Sequence, residues 1–261
     1  MCLITFAWNV HPQWPLVLAA NRDEFHARPT AALARWDDAP QIAGGRDLRE
    51  GGGWLALDAH ARRLAAVTNF REPPPPHGLR SRGALISGFL RAPECAAGFA
   101  AQLDAESPAY GPFNLLLWDG AELLYASNRP MPRWESVPSG LHGLSNGSLE
   151  THWPKVQRVT AALGDWLSQL PTQSSVLPAL PALEPLFAAL ADERRAADAE
   201  LPQTGVGLEL ERMLSPPFIR GDAYGTRASS VVLIGREQTL FVERRFGPNG
   251  SALGETALAL P

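Results

Sequence analysis

The chain has 261 residues, with 23 basic and 27 acidic side chains and a formal net charge of -4. Its basic residues are scattered along the chain, so nucleic acid is excluded as an expected partner. This length can bury a large core, and we expect a single domain over residues 1–261. The two cysteines, Cys2 and Cys95, supply neither a disulfide framework nor a CxxC metal site.

The amino-terminal segment lacks the pattern of a targeting or membrane-spanning sequence. Its apolar stretch begins at Cys2 and is interrupted by Asn9, His11 and Pro12. We therefore expect no signal peptide, no stable membrane insertion and a cytoplasmic location. The oligomeric state is left open.

The first two predicted elements are strands that form a hairpin. Residues 2–8 and 16–20 are rich in β-branched, aromatic and aliphatic side chains, and the turn at 9–15 contains proline. In an antiparallel hairpin the end of the second strand returns to the start of the first. The cluster after the second strand should then lie close to Cys2; it consists of Asn21, Arg22, Asp23 and Glu24.

The remaining elements are also predicted from periodicity and turn signals. Further strand pairs are predicted at residues 54–58 with 64–70, 113–118 with 122–127, and 230–235 with 239–245. Helices are predicted at residues 83–90, 92–103, 152–170 and 184–199, with a shorter one near 207–214. Blocks of strand pairs and helix pairs are typical of an α+β protein in which helices cover antiparallel sheets. A proline-rich surface loop is predicted at residues 73–76.

Cys2 combines a thiol with an α-amine once the initiator Met1 is removed. A free thiol has a pKa of about 8.5 and an α-amine one of about 7.7–8.0, so the amine can take the proton of the thiol. Such a residue contains both a nucleophile and its base. The alternative is that Cys2 is a small buried residue that starts the first strand.

The charged cluster after the second strand has two interpretations. An arginine there would stabilise a thiolate, and a carboxylate would hold the α-amine through a charge-assisted hydrogen bond. Alternatively, the cluster is a solvated, salt-bridged strand end. Alternation puts Asn21 and Asp23 on one face and Arg22 and Glu24 on the other, so the four side chains should not all contact Cys2.

Five ordered motifs resemble one protein family. They are Met1-Cys2, the tetrapeptide at residues 21–24, and the segments at residues 68–72, 144–146 and 225–227. Together they resemble the NRDE family, also called the transport and Golgi organisation protein 2 family, from residue 1 to about 246. That family is similar to N-terminal nucleophile hydrolases of the choloylglycine hydrolase and penicillin acylase kind. The resemblance implies a four-layer αββα sandwich of antiparallel sheets.

The resemblance also implies roles for individual residues. Cys2 matches the nucleophile, Asn69 and Asn146 match oxyanion and amine-binding positions, and Arg227 matches an active-site arginine. From the residues alone, Asn146-Gly147 is typical of a turn and Arg227 of an exposed ion pair. Arg71 in the third motif is a further candidate binding residue.

One departure from the related hydrolases leaves two assignments open. Those enzymes commonly place an arginine and an aspartate three residues apart after the second strand, whereas Arg22 and Asp23 are adjacent here. Either Arg22 and Asp23 are the catalytic pair, or Asn21 and Glu24 take those roles. We keep Arg22 and Asp23 as catalytic candidates and Asn21 and Glu24 as binding candidates.

Two functions are consistent with these patterns. The first is an N-terminal cysteine amidohydrolase that cleaves a linear, non-peptide amide of a small molecule through a thioester, with no cofactor and no metal. The alternative is a non-catalytic protein of the same scaffold that binds or traffics haem or acyl-CoA. No GxSxG, HExxH, GxxxxGK[ST], GxGxxG or CxxCH motif occurs. Loops at residues 47–53 and 71–82 are the expected determinants of substrate specificity.

Overall fold

The computed structural model of the chain describes residues 2–73, 80–173 and 176–261. Internal contacts divide it into two compact units. The first unit comprises the residues up to Ala27 together with Ser139–Pro261, and the second unit is Arg28–Pro138. The expected single domain stays a prediction. Most of the predicted proline-rich loop, and residues 74–79 of the specificity loop, lie outside the described residues.

The described residues form thirteen strands and five α-helices. The strands are β1 (Cys2–Trp8), β2 (Leu16–Phe25), β3 (Thr30–Trp36), β4 (Ala39–Asp47), β5 (Leu55–Asp58), β6 (Arg63–Asn69), β7 (Phe113–Trp118), β8 (Leu123–Ser127), β9 (Arg133–Ser136), β10 (Gly140–Leu144), β11 (Tyr224–Ile234), β12 (Thr239–Phe246) and β13 (Ala252–Leu260). The α-helices are α1 (Gly83–Arg91), α2 (Ala96–Glu106), α3 (Pro154–Ser168), α4 (Glu184–Leu190) and α5 (Leu208–Met213). Short 3₁₀ helices lie at Ser107–Ala109, Leu180–Leu183, Asp198–Glu200 and Pro248–Gly250.

The first unit contains a six-stranded antiparallel sheet with the strand order β10-β1-β2-β11-β12-β13. Helices α3 and α4 cover one face, where they pack on β1, β2, β10 and β11. Side chains at alternate strand positions, such as Leu3, Val17 and Val231, meet Leu163 and Phe187 of these helices in one apolar core. The sheet therefore places β1 in its interior, between β10 and β2.

Strand β1 is buried along its whole length, which its sequence explains. All seven residues are buried, and β-branched and aromatic side chains predominate in the segment CLITFAW. A strand that is buried on both faces carries continuous rather than alternating apolar residues. The predicted hairpin of β1 with β2 is confirmed by a register that runs from Cys2–Arg22 to Trp8–Leu16.

The second unit contains a seven-stranded antiparallel sheet whose strands follow chain order from β3 to β9. Helices α1 and α2 cover one face, and Ile86, Phe89 and Leu103 pack there against Val67 and Leu115. The predicted hairpins of β5 with β6 and of β7 with β8 are both present. The α+β class with helices on antiparallel sheets is confirmed.

Several predicted boundaries were wrong. The helix predicted at residues 184–199 ends at Leu190, and the helix predicted from residue 92 begins at Ala96, after Cys95 as its N-cap. Strand β2 continues to Phe25, so the tetrapeptide lies within the strand rather than after it. Strands β3, β4, β9 and β13 were not predicted.

Among the described residues, none of the helices combines the length and the apolar composition needed to cross a bilayer.

Candidate active site around Cys2

Cys2 is the first residue of β1 and has a neighbouring strand on each side. On one side it pairs with Arg22 of β2. On the other side the last pair with β10 is Ile4–Leu144. Beyond that pair the chain leaves the strand, and residues 145–148 form a bend. Arg22 therefore lies beside Cys2 through strand pairing, and the link from Cys2 to Asn146 runs through Ser145.

Ser145 connects Cys2 to Asn146. Its Oγ donates a hydrogen bond to the main-chain oxygen of Cys2 at 2.9 Å and lies 3.2 Å from Oδ1 of Asn146. All three residues are buried. Residues 145–148, which follow β10, form a bend rather than strand, in agreement with the turn expected at Asn146-Gly147.

The surroundings of the Cys2 thiol favour its protonated form. Burial raises the pKa of the Cys2 thiol because it removes water from the thiolate, and the negative charge of Asp23 raises it further. The positive charge of Arg22 and a hydrogen bond from the Asp23 backbone act in the opposite direction. The pKa stays above its ordinary value, so a nucleophilic reaction of this thiol near neutral pH requires a base.

Asn21 faces α3 and α4 rather than the side of the sheet that carries Cys2. Its Nδ2 donates to the carbonyl oxygens of Leu190 at 2.8 Å and Pro217 at 2.9 Å. Its Oδ1 accepts a hydrogen bond from Ser229 Oγ at 2.6 Å. The side chain is fully buried, and these contacts attach the end of α4 and the chain near Pro217 to the sheet.

Asp23 points to the same face of the sheet as Asn21. Its Oδ1 accepts from Thr226 Oγ1 at 2.7 Å, and that hydroxyl accepts from the backbone N–H of Ile219 at 2.9 Å. The main chain of Asp23 contacts the Cys2 thiol through the backbone hydrogen bond described above. One residue therefore affects Cys2 through its backbone and its charge while its carboxylate binds Thr226.

Arg22, Glu24 and Arg227 form a charged group near the end of β2. Arg22 Nη2 lies 3.8 Å from Glu24 Oε2, and the Arg22 side chain is 8% exposed. Arg227 lies in β11 at a bulge between Thr226 and Ala228, and its Nη1 donates to the carbonyl oxygens of Phe25 at 2.9 Å and His26 at 3.3 Å.

The charges of this group act on one another. Burial lowers the pKa of Arg227, the positive charge of Arg22 lowers it further, and Glu24 raises it. The strand predicted at residues 230–235 starts earlier, at Tyr224, so Arg227 lies within β11 rather than before it. Bulges commonly redirect a side chain next to a functional site, and here the bulge falls at Arg227.

Asn69 and Arg71 belong to the second unit. Asn69 is the last residue of β6, where it pairs with Phe113 of β7 and is half-buried. Arg71 is buried two residues further along the chain. Thr68, on the opposite face of β6, accepts a hydrogen bond from Asn114 Nδ2, and Asn114 Oδ1 accepts one from the Tyr125 hydroxyl. Their proposed roles at Cys2 stay predictions.

No group of three or more histidine, cysteine, aspartate or glutamate side chains that could hold a metal ion occurs within the described ranges. His142 Nδ1 lies 2.6 Å from Glu150 Oε1, and the ring of Phe6 stacks on the His142 ring. His11 Nδ1 accepts from the backbone N–H of Gln13 at 3.2 Å. These two histidines have local protein partners.

Sequence reasoning missed Ser145, Thr226 and Ser229. Ser145 and Thr226 stand inside recognised motifs, and a hydroxyl beside a candidate catalytic residue is a signal that could have identified them. Ser229 pairs with Asn21 in register, across β2 and β11. That contact joins residues 208 positions apart, so no local pattern indicates it.

The comparison with known proteins gives one consistent family. The model of the family described as Transport and Golgi organisation 2 matches residues 1–248. The human Transport and Golgi organization protein 2 homolog is 32% identical over 265 residues, which cover 94% of this chain and 92% of that protein. The Drosophila melanogaster Transport and Golgi organization protein 2 is 30% identical and covers 93% of this chain and 91% of its own length.

A search of solved structures also gives a match. It is the Caenorhabditis elegans ortholog of N-acylethanolamine-hydrolyzing acid amidase, with a TM-score of 0.47, 9% sequence identity, and coverage of 90% of this chain and 94% of that one. The family assignment rests on the sequence matches, which extend over nearly the whole chain. The chain belongs to the Transport and Golgi organisation 2 family.

Proposed function

We propose that this chain is an N-terminal cysteine amidohydrolase that cleaves a linear, non-peptide amide of a small molecule in the cytoplasm. Cys2 is the nucleophile and its α-amine is the base. Asn146 stabilises the oxyanion. Arg22, Asp23 and Arg227 provide the charges around the reaction.

The observation that carries this proposal is the set of groups around Cys2 within the first unit. Arg22 pairs with Cys2 across β1 and β2, the backbone of Asp23 contacts the thiol, and the Ser145 hydroxyl links the Cys2 carbonyl oxygen to Asn146 Oδ1. A cation, a hydrogen-bond donor and a side-chain amide beside one thiol are groups that acyl transfer requires. A merely structural cysteine in a buried strand needs none of them.

The proposed reaction has two steps. In the first, Cys2 Sγ attacks the carbonyl carbon of the amide while the α-amine takes the thiol proton. The tetrahedral oxyanion then collapses, the C–N bond breaks, and the leaving amine receives that proton, which leaves a thioester on Cys2. In the second step, the α-amine takes a proton from water while the water oxygen attacks the thioester carbonyl. The C–S bond then breaks, the acid leaves, and the ammonium returns its proton to the Cys2 thiolate.

The raised pKa of the Cys2 thiol is consistent with a mechanism in which the thiol is the nucleophile and the α-amine is its base. A thiol that burial keeps protonated needs an adjacent base, and an α-amine with a pKa of about 7.7–8.0 is neutral in part near pH 7. The amine is available only after the residue that precedes Cys2 has been removed, since an amide nitrogen is not a base. We therefore expect acylation to increase with pH up to the pKa of this amine and then to level off.

The test is intact mass spectrometry of the purified protein before and after exposure to an electrophilic amide or β-lactam. We expect the mass of a chain without Met1 and one covalent adduct. Cys2→Ala should abolish the adduct, because it removes the nucleophile. Cys95→Ser is the matched control; it replaces the exposed cysteine at the N-cap of α2 and should retain the adduct.

Two outcomes contradict the proposal. A purified chain that retains Met1 has no α-amine on Cys2, and the mechanism fails for it. An adduct that survives Cys2→Ala and disappears in Cys95→Ser would show that the probe reacts with an exposed thiol and not at the proposed site. The alternative function, haem or acyl-CoA binding, would then be examined through binding that does not depend on the α-amine.

A further inference from the structure

The hydroxyl of Ser145 lies between the main chain of Cys2 and the side chain of Asn146. Backbone pairing of β1 with β10 reaches only to Ile4–Leu144. Beyond that pair, Ser145 Oγ donates to the Cys2 carbonyl oxygen at 2.9 Å. A side-chain hydroxyl thus ties Cys2 to this part of the chain where the pairing of the two strands has ended.

This attachment matters because the nucleophile belongs to the first strand at the amino-terminal end. The first residues of a domain fray unless they are held by their neighbours. A small displacement of a reacting atom costs a large factor in rate, because the geometry of attack is then lost. Cys2 is held by Arg22 on the β2 side and by the Ser145 hydroxyl on the β10 side.

The proton of the same hydroxyl is shared with the amide oxygen of Asn146 in a three-centre hydrogen bond. Asn146 Oδ1 lies 3.2 Å from Ser145 Oγ, so the oxygen end of the amide is turned toward Ser145. The nitrogen end, which carries the two donors, is consequently turned away from it. An amide that stabilises an oxyanion must present its nitrogen, and a preorganised donor costs no reorientation during the reaction.

We infer that Ser145 is a positioning residue of the Cys2 site, which fixes the Cys2 main chain and holds the Asn146 amide with its donors directed away from Ser145. The catalytic consequence rests on the proposed function. The positioning itself can be measured without catalysis.

The experiment compares two reactions of the Cys2 thiol in a Cys95→Ser background. Methyl methanethiosulfonate reacts when the thiolate attacks sulfur, forms a mixed disulfide and expels methanesulfinate, so no oxyanion arises. A p-nitrophenyl ester reacts when the thiolate attacks the carbonyl carbon, passes through an oxyanion, forms a thioester and expels p-nitrophenolate. Only the second reaction needs the Asn146 amide.

Ser145→Ala should slow the ester reaction about 10- to 100-fold, since loss of one oxyanion donor costs roughly 100- to 1,000-fold and misorientation costs part of that. Reaction with the thiosulfonate should slow less than the ester reaction, because it forms no oxyanion. Ser145→Thr keeps a hydroxyl and should restore much of the ester rate. Asn146→Ala removes the donor itself and should slow the ester reaction selectively, by at least as large a factor as Ser145→Ala.

No loss in either reaction overturns the inference. An equal loss in both overturns the orientation of the Asn146 amide, because only the ester reaction forms an oxyanion. Hydrogen exchange of the peptide that contains β1 supplies a second measurement. Exchange should be faster in Ser145→Ala than in Ser145→Thr, and equal exchange overturns the positioning of Cys2. If the ester fails to acylate the wild-type thiol at Cys2, the proposed hydrolase function fails, and the exchange measurement still decides the positioning.

Discussion

Neighbouring residues of the 21–24 tetrapeptide lie in opposite surroundings. Asn21 binds main-chain oxygens of Leu190 and Pro217 on the helix-covered face, whereas Arg22 pairs with Cys2. Strand alternation predicted this separation of faces. The face that carries Cys2 could be identified only from the observed register, since a shift of one residue would have exchanged the two sets.

Asn21→Ala should destabilise the protein by about 2–5 kcal/mol, because it leaves two buried carbonyl oxygens and the Ser229 hydroxyl without their partner. Urea unfolding would measure the change. Ser229→Ala is the control; it removes one donor to Asn21 and should cost about 1 kcal/mol. A double variant should be less destabilised than the sum of both, and simple additivity would argue against the described hydrogen bond.

His11, in the turn between β1 and β2, should make stability fall in acid. Burial lowers the pKa of His11, because the charged ring loses its hydration, and Nδ1 accepts from the Gln13 N–H only while it is unprotonated. The folded state thus binds this proton less readily than the unfolded state, so stability is lost as the pH falls below about 6.5.

The measurement is the Tm at pH 7.5 and at pH 5.5. His11→Asn keeps an acceptor near the position of Nδ1 and removes the titrating ring, so it should reduce the difference between the two Tm values. His60→Asn, at an exposed turn, is the matched control and should leave the difference unchanged. An equal difference between the two Tm values in all three proteins would contradict the prediction that the pKa of His11 is lower in the folded state than in the unfolded state.

The end of α4 shows how tertiary contacts override helix propensity. In a longer helix, the Leu190 carbonyl would accept from the N–H of Arg194. Here Leu190 accepts from Asn21, and the Arg194 N–H donates to the Asp192 carboxylate at 2.9 Å. Residues 191–199 favour a helix locally, and the partner that ends it lies in β2, so the sequence pattern alone extended α4 too far.

Two of the strands that were not predicted have local sequences that favour helices. The segments TAALARW of β3 and ALGETALAL of β13 are rich in alanine and leucine, which favour helices when they stand alone. Pairing with β4 and β12 decides their conformation instead. By contrast, β7 and β8 were predicted correctly, because apolar β-formers flank the turn at Asp119-Gly120. Local turn chemistry can be read from sequence, whereas partner choice across long separations cannot.

Close packing between β10 and α3 depends on Gly143. A Cβ at this position would overlap Val156 Cγ1 and lie 2.8 Å from Thr160 Oγ1. Gly143→Ala should therefore displace α3 and cost about 1–3 kcal/mol, measured as a lower midpoint of urea unfolding.

Gly88 of α1 is the matched control for this substitution. A Cβ there would meet only the Phe99 ring, at 3.6 Å, which is an ordinary contact. Gly88→Ala should stabilise the protein by about 0.5–1 kcal/mol, because alanine favours the helix. If both variants were stabilised, the predicted steric conflict at Gly143 would be disproved.

At the scale of the whole chain, the two units differ in the sequence distance of their contacts. Every sheet pairing of the second unit joins strands that are consecutive in the chain. The first unit instead pairs β2 with β11, where Asn21 meets Ser229 from 208 residues away. The motifs indicated the residues of the Cys2 site in the first unit, but this long-range pairing could not be derived from periodicity.

Pulsed hydrogen exchange during refolding should show protection in β5 to β8 before protection in β2 and β11. Loops must close over longer distances in the first unit, and such closure slows folding. β12 and β13, which are adjacent in the chain, serve as the control within the first unit and should be protected earlier than β2. Simultaneous protection of all peptides would indicate that the two units fold in one cooperative step.

The place of β1 between β2 and β10 also has a consequence for biosynthesis. A ribosome releases β1 and β2 long before it has made β10 and β11. During this time the hairpin lacks the two strands that flank it in the sheet. An aminopeptidase can reach the start of the nascent chain during this interval, whereas in the finished sheet Cys2 is buried. Under the proposed function, removal of the residue before Cys2 is therefore expected during translation, before β10 and β11 pair beside the hairpin.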